Sequence, residues 1–330
     1  MEKEFNIVKA TPAVTAPTAV ADLVYNGSAQ AHVNAGDTDF GTLLYSLDGQ
    51  NYSDDIPTAT DAGTYTIYYK VEGSDNWDAV DAATVEATIA NYAASLADNA
   101  DNTNDINNII TNYDSKADVA LSDRTLYKDG KWNTLYLPFG VKLSESVLAG
   151  AKARKLTAAS VDGSTLNLTF SDEVAELEAG VPYIIKWEIG DNIVNPVFSN
   201  VTIDDTDRSF DNGVSGDGRV RFIGTYDAVT FNGDENVLLM GAENTLYYVN
   251  AGACIRANRA YFRIGDDDVY CARRITSFNI DFSDETTGIS GNCRVDDVDS
   301  SWFTLQGVKL ADKPTQNGVY IHNGKKIVIK

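Results

Sequence analysis

Short alternating segments closed by Asp-Gly or Asn-Gly pairs recur along this chain, and they limit its fold more than any other feature. The pairs at Asp48-Gly49, Asp129-Gly130, Asp162-Gly163 and Asn323-Gly324 supply the positive φ that a two-residue hairpin turn needs. Around them stand LLYSLDGQNY (43–52), RTLYKDGKWNTLYLPFGVKL (124–143) and KLTAASVDGSTLNLTFSD (155–172), whose β-prone residues alternate with polar ones. Further strands are predicted in TYTIYYKVEG, GVPYIIKWEI, NPVFSNVTI, VRFIGTY, ENVLLMG, NTLYYV, RAYFRI and around VYCARRITSF. No long helical pattern interrupts them, so the class is all-β. At 330 residues the chain exceeds one ordinary core, and two or three domains are expected.

Charge narrows the function. With 48 Asp and Glu against 26 Lys and Arg, the net charge is -22. Such a chain lacks the clustered cations that neutralise phosphates, and anionic lipid repels it. Neither nucleic-acid binding nor membrane insertion is expected, since no run of about 18 apolar residues exists either. The acidity itself serves solubility and mutual repulsion. It is uneven: residues 301–330 hold five Lys and one Asp, a charge of +4, so residues 1–300 carry -26. Three cysteines, Cys254, Cys271 and Cys293, cannot all pair. A Cys254–Cys271 bridge across neighbouring strands competes with simple buried thiols.

MEKEFNIVKA has no apolar signal region. EFNIVKATPAV (4–14) echoes DAATVEATIANYA (81–93), each a strand running into a connector. The first therefore reads as the last strand of a truncated preceding repeat, its leader lost with it. Between the echoes lies an all-β segment of about 80 residues. Its DAGTY, Asp61 to Tyr65, has the D-x-G-x-Y form of the corner at which an Ig-like sandwich enters a central strand. Ile67 stands where a disulfide cysteine would, so aliphatic packing replaces the bridge. Residues 10–90, with VYNGSAQ, LLYSLDGQNYSDDIPTATDAGTYTIYYKVEGSDNW and ATVEATIA, resemble the MBG-type bacterial Ig-like repeats of large surface proteins. The resemblance implies a spacer or adhesive module in tandem, without catalysis.

Residues 93–116 are rich in Asn and Asp. An EF-hand beginning at Asp98 fails, because Thr103 replaces the sixth-position Gly and Ile109 the twelfth-position Glu. A helix capped by Thr103 or Asn104 fits better: Ile106, Ile109, Ile110 and Tyr113 fall on one stripe. Residues 117–285 then predict a sandwich or jelly-roll-like domain. LADNADNT, RTLYKDGKWNTLYLPF, LEAGVPYIIKW and CIRANRAYF resemble a β-rich domain near the C-termini of secreted Bacteroidales proteins. That family implies a location and no activity.

Catalytic signals are weak. The histidines, His32 and His322, lie in different modules, and neither a metal cluster nor a Ser-His-Asp motif is readable. Forty-eight carboxylates contain many pairs, but no local motif selects one for glycosidase work. DNGVSGDGR (211–219) lacks the Lys and setting of a phosphate loop. Trp77, Trp132, Trp187 and Trp302 could stack on sugars, with Trp77 and Trp132 the chosen candidates. The large apolar area of each favours a place in a sandwich core over a sugar-binding loop. Asp204, Asp205 and Asp207, or Asp266, Asp267 and Asp268, could bind calcium, and solvated turns explain them as well.

The end of the chain, after an acidic linker, is SWFTLQGVKL, a Gln306-Gly307 turn within it, then VYIH-NG-KKIV. Asn323-Gly324 predicts a type I′ hairpin with Tyr320 facing Ile327 and Val319 facing Val328. Leu305, Gly307 and Lys309, Gly318 and Tyr320, and Lys325, Lys326 and Lys330 resemble the C-terminal sorting domain of Bacteroidetes type IX secretion in shortened form. This implies an export-machinery partner, and closure of a small sheet is the alternative. The expected layout is an Ig-like domain (1–92), a large β-sandwich with an N-terminal helix (93–285), and a linker with a β-rich tail (286–330). The expected function is a non-enzymatic, extracellular or cell-surface, adhesin-like protein that meets glycans or host matrix proteins. A carbohydrate-binding accessory module is the alternative, and no cofactor is expected.

Overall fold

The computed structural model describes residues 8–232, 236–241, 244–266, 275–282, 288–295, 302–304, 309–310, 314–315, 318–322 and 325–329. It is all-β, with one α-helix among the described residues. Contacts group the chain into two compact units: residues 1–95, 104–120 and 197–203, and residues 96–103, 121–196 and 204–330.

The first unit is built on a four-stranded sheet, in the order Leu23–Val24, Val80–Ala90, Gly63–Val71, Leu43–Ser46. Leu23–Val24 runs parallel to the end of Val80–Ala90 and the other pairs are antiparallel. Three two-stranded ladders, Val14–Thr15 with Asp37–Thr38, Thr18–Ala19 with Val33–Asn34, and Gln30–Ala31 with Thr58–Ala59, complete the Ig-like sandwich. Val33, Leu43, Tyr45, Ile67, Val71 and Ala87 form its core. The corner is formed as expected: the Tyr65 hydroxyl donates to the Asp61 carbonyl at 2.7 Å. Ile67 is fully buried in place of a cysteine. His32, also fully buried, packs against Tyr65 with centroids 4.4 Å apart and the rings tilted by 38°. Burial pushes its pKa down, against the opposing bond to the Pro57 carbonyl, so the ring is neutral.

The helix spans Thr103–Asn112 and buries Ile106 and Ile109. It begins at Thr103, so neither Thr103 nor Asn104 is the flanking cap. Asp101 accepts the Thr103 N–H at 2.9 Å. Asn102, in the flanking place, instead turns its side chain to the Ala97 N–H and carbonyl and the Tyr226 carbonyl. Tyr113 continues the stripe and stacks on Tyr92 at 3.7 Å. Val197–Thr202 pairs antiparallel with Lys116–Ser122 in this unit.

The second unit is a sandwich of two six-stranded sheets. One runs Asn133–Leu135, Tyr183–Lys186, Lys152–Asp162, Thr165–Phe170, Ser277–Phe282, Ile289–Asn292. The other runs Phe210–Asp211, Val220–Thr225, Arg259–Ile264, Val237–Gly241, Thr245–Tyr248, Arg294–Val295. Alternation decides what faces inward: in Thr165–Phe170, Leu166, Leu168 and Phe170 are buried and the residues between them are not. They meet Phe222, Leu238, Phe262, Phe278 and Phe282 in one apolar cluster. Each such side chain contributes roughly 1.5–3 kcal/mol on burial. Gly224 is required by a close approach, since a Cβ there would collide with the Tyr136 ring. The tail forms a four-stranded sheet of Lys309–Leu310, Trp302–Thr304, Gly318–His322 and Lys325–Ile329. Its register pairs Tyr320 with Ile327 and Val319 with Val328, as the hairpin pattern predicts.

Candidate functional site

The stretch Arg256-Ala257-Asn258-Arg259 links the strand Cys254–Ile255 to the strand Arg259–Ile264. Asn258 sits in the left-handed region, at φ 57°, which Asn tolerates better than most residues. The reversal brings Arg256 and Arg259 to one carboxylate, Asp98. Arg259 Nη1 bonds Asp98 Oδ1 at 2.5 Å, and Arg256 Nη1 bonds Asp98 Oδ2 at 3.0 Å. Arg124 Nη1 lies 3.6 Å from Asp98 Oδ1, while its Nη2 donates to the Thr134 carbonyl at 3.1 Å. The Asp98 backbone is fixed as well: its N–H donates to Ser122, and its carbonyl accepts from Ala257.

The Asp98 side chain is 2% exposed and that of Arg124 4%. Burial works against the Asp98 charge, but the bonds from Arg259 and Arg256 and the charge of Arg124 hold its pKa below the ordinary value. Burial, then repulsion from Arg259, pushes Arg124 down to about 9. Three guanidiniums against one carboxylate leave the cluster at +2 in a chain of net -22.

Beside this cluster opens a pocket of about 270 Å³. Arg256, Arg259 and Thr134 line it together with Leu239, Met240, Cys254, Ile255 and Ala260. Its lining thus joins an apolar wall to guanidinium donors and, among the described residues, includes no carboxylate or imidazole. The Thr134 hydroxyl oxygen accepts from the Ala260 N–H at 3.1 Å, tying the floor to the strand behind it. Arg256 is 53% exposed and Arg259 24%. Cys254 is a free, exposed thiol and Cys293 a free, half-buried one, so Cys254 departs from the buried-thiol expectation. Cys271 lies outside the described residues.

No family model matches the chain. No curated protein matches it either. A solved structure of SGBP-B from the mixed-linkage glucan utilization locus of Bacteroides ovatus, in complex with mixed-linkage heptasaccharide, is similar to it at 12% identity. That likeness spans 87% of this chain and 71% of the other, with a TM-score of 0.20.

The residues singled out from sequence fall elsewhere. Trp77 is half-buried against the core of the first unit, and its Nε1 donates to the Glu72 carbonyl at 3.0 Å. Trp132 is 3% exposed in the core of the second unit, with Lys186 Nζ 4.5 Å from its ring centroid. Its ring is held by packing and offers no open face for a sugar, because the sandwich interior takes its large apolar area. Trp187 is buried too. The Trp302 side chain lies outside the described residues.

The acidic loops close on themselves. Asp204 binds Arg208 at 2.7 Å and the Thr206 N–H at 3.0 Å, and Asp207 accepts from Tyr136 and Ser209. Asp266 binds Arg219 and the Gly216 N–H, while Asp267 and Asp268 lie outside the described residues. Among the described residues no three His, Cys, Asp or Glu side chains gather to hold a metal ion. In the tail, Gly318 and Tyr320 lie on one strand and Lys325 and Lys326 on the next. Asn323, Gly324 and Lys330, and Leu305 to Gly307, lie outside the described residues.

The Asp98 cluster escaped sequence reasoning, although three of the phrases quoted above, LADNADNT, RTLYKDGKWNTLYLPF and CIRANRAYF, each contribute to it. Arg256 is 158 residues from Asp98. The R-x-x-R spacing around an Asn was the available signal, and it names no partner.

Proposed function

We propose that this chain is a non-catalytic, saccharide-binding accessory segment of a larger extracellular or surface protein. The second unit binds, and the Ig-like unit serves as a spacer. One observation carries the reading: the 270 Å³ pocket pairs apolar side chains with orienting polar groups, the make-up of a small-ligand site. Among the described residues its lining holds neither a general base nor a paired carboxylate to activate Thr134 or Cys254. The extracellular setting is supported by the sequence resemblance to MBG-type repeats. In the same reading the tail is an export address, and unchanged surface display after deletion of residues 301–330 in the source organism would remove that part.

The test is a glycan array probed with the full chain and with Met240→Trp, which fills the pocket. Saturable binding that the variant loses is the expected result. Silence across the array would refute saccharide binding and leave a purely mechanical spacer. Binding unchanged in Met240→Trp would move the site elsewhere.

A further inference from the structure

We infer that the pocket of the second unit recognises the carboxylate of an acidic sugar, so that the ligand is a uronate-containing glycan. The inference rests on the saccharide reading above and sharpens it.

Three features lead there. The first is the charge surplus: Asp98 is shared among Arg124, Arg256 and Arg259, and one carboxylate cannot neutralise three guanidiniums. A second carboxylate beside them lowers the surplus from +2 to +1. The second is geometry. Arg256 gives Asp98 only Nη1, so, among the described residues, Nε and Nη2 have no partner. A guanidinium is planar, and its remaining edge matches the two oxygens of a carboxylate. Asp98 holds Arg256 and Arg259 in place before the ligand arrives, which lowers the ordering cost of binding. The third is size and wall. About 270 Å³ suits one sugar ring, with Leu239, Met240 and Ile255 against its C–H face.

A neutral glycan would need the apolar wall and Thr134 but would leave the charge surplus unused. Nucleic acid is disfavoured, because one pocket in a chain of net -22 gives no track for a phosphate backbone. The overall acidity also repels polyanions from the remaining surface, which confines an acidic ligand to this spot.

The test is calorimetric titration of the full chain with tri-galacturonate and tri-glucuronate, with methyl-esterified tri-galacturonate, and with a penta-glutamate peptide. The ester keeps the sugar rings and removes the charge. At least tenfold tighter binding of a free acid than of the ester is expected, weakening severalfold between 0.05 and 0.5 M NaCl. Arg256→Gln is expected to lose tenfold or more in affinity for the acid and less than twofold for the ester. Arg256→Lys, which keeps the charge and loses the fork, is expected to fall between. The half-exposed Arg256 can be replaced with Arg259 and Arg124 still on Asp98, and an unshifted melting curve confirms folding. Equal affinity for acid and ester overturns the carboxylate inference while saccharide binding stands. Failure of all the sugars overturns the uronate inference, while the glycan array decides saccharide binding itself, and a preference for the peptide replaces the sugar with an acidic protein segment.

Discussion

Replacing Asp98 by Asn tests whether the pocket's arginines are held by a buried charge or merely lie near one. The substituted amide would keep one acceptor but lose the charge, and its NH2 would face guanidinium donors. Arg124, 4% exposed, would then be a buried cation without a counter-ion. Breaking a buried pair in this way costs about 3–5 kcal/mol. Arg256 and Arg259 can turn partly toward water, which places the expected value near the lower end. In a sandwich of 150–250 residues each kcal/mol moves the melting temperature ~2–4 °C, so a drop of about 6–20 °C is predicted. Differential scanning calorimetry measures it directly. The pH dependence has a definite sign. Because the folded pKa of Asp98 lies below its ordinary value, its contribution is present above about pH 4 and is lost as pH falls through the folded pKa. The gap between wild type and Asp98→Asn should therefore shrink as pH falls from 6 to 3. A gap under about 1 kcal/mol at pH 7, or one that widens in acid, would refute the buried-charge account.

Other parts of the fold make narrower predictions. Tyr65→Phe removes the hydroxyl that holds the Asp61 carbonyl and should destabilise the Ig-like unit by ~0.5–1.5 kcal/mol in urea unfolding. Gly224→Ala puts a methyl into the Tyr136 ring; overpacking of this kind costs about 1–3 kcal/mol, visible as a lower thermal midpoint. Burial pushes the Cys293 thiol up to about 11, so only about one molecule in a thousand is thiolate there at pH 8. A disulfide reagent at pH 8 should modify the exposed Cys254 well before Cys293, and peptide mapping distinguishes them.

The sequence reading carried furthest where the relevant contacts are local. The hairpin expected at Asp162-Gly163 forms one residue further on: Asp162 pairs with Thr165, so Gly163 and Ser164 make the two-residue turn between Lys152–Asp162 and Thr165–Phe170. The D-x-G-x-Y corner is equally local, since Tyr65 reaches back only four residues to Asp61. Period-two alternation identified inward faces, as at Leu166, Leu168 and Phe170. It could not say which Trp lies inside, because Trp132 precedes the short strand Asn133–Leu135 and a three-residue strand shows almost no period. The helix starts at Thr103, with Asn102 in the flanking place, and the side chain of Asn102 is held by Ala97 and by Tyr226, 124 residues away, which the sequence alone does not show. The same limit hid the pocket. Its residues come from Thr134, from Leu239 and Met240, and from Cys254 to Ala260, and the carboxylate that orients its arginines enters from Asp98. Only the paired sheets bring these segments together.

The central claim is that ligand is held at this pocket of the second unit. Methyl NMR of the full chain, labelled at Ile, Leu and Met and titrated with tri-galacturonate, tests it most directly. The account predicts saturable shifts at Leu239, Met240 and Ile255, with Ile67 and Leu43 in the Ig-like core unmoved. Shifts confined to methyls of the Ig-like unit, or none at saturating sugar, would contradict it.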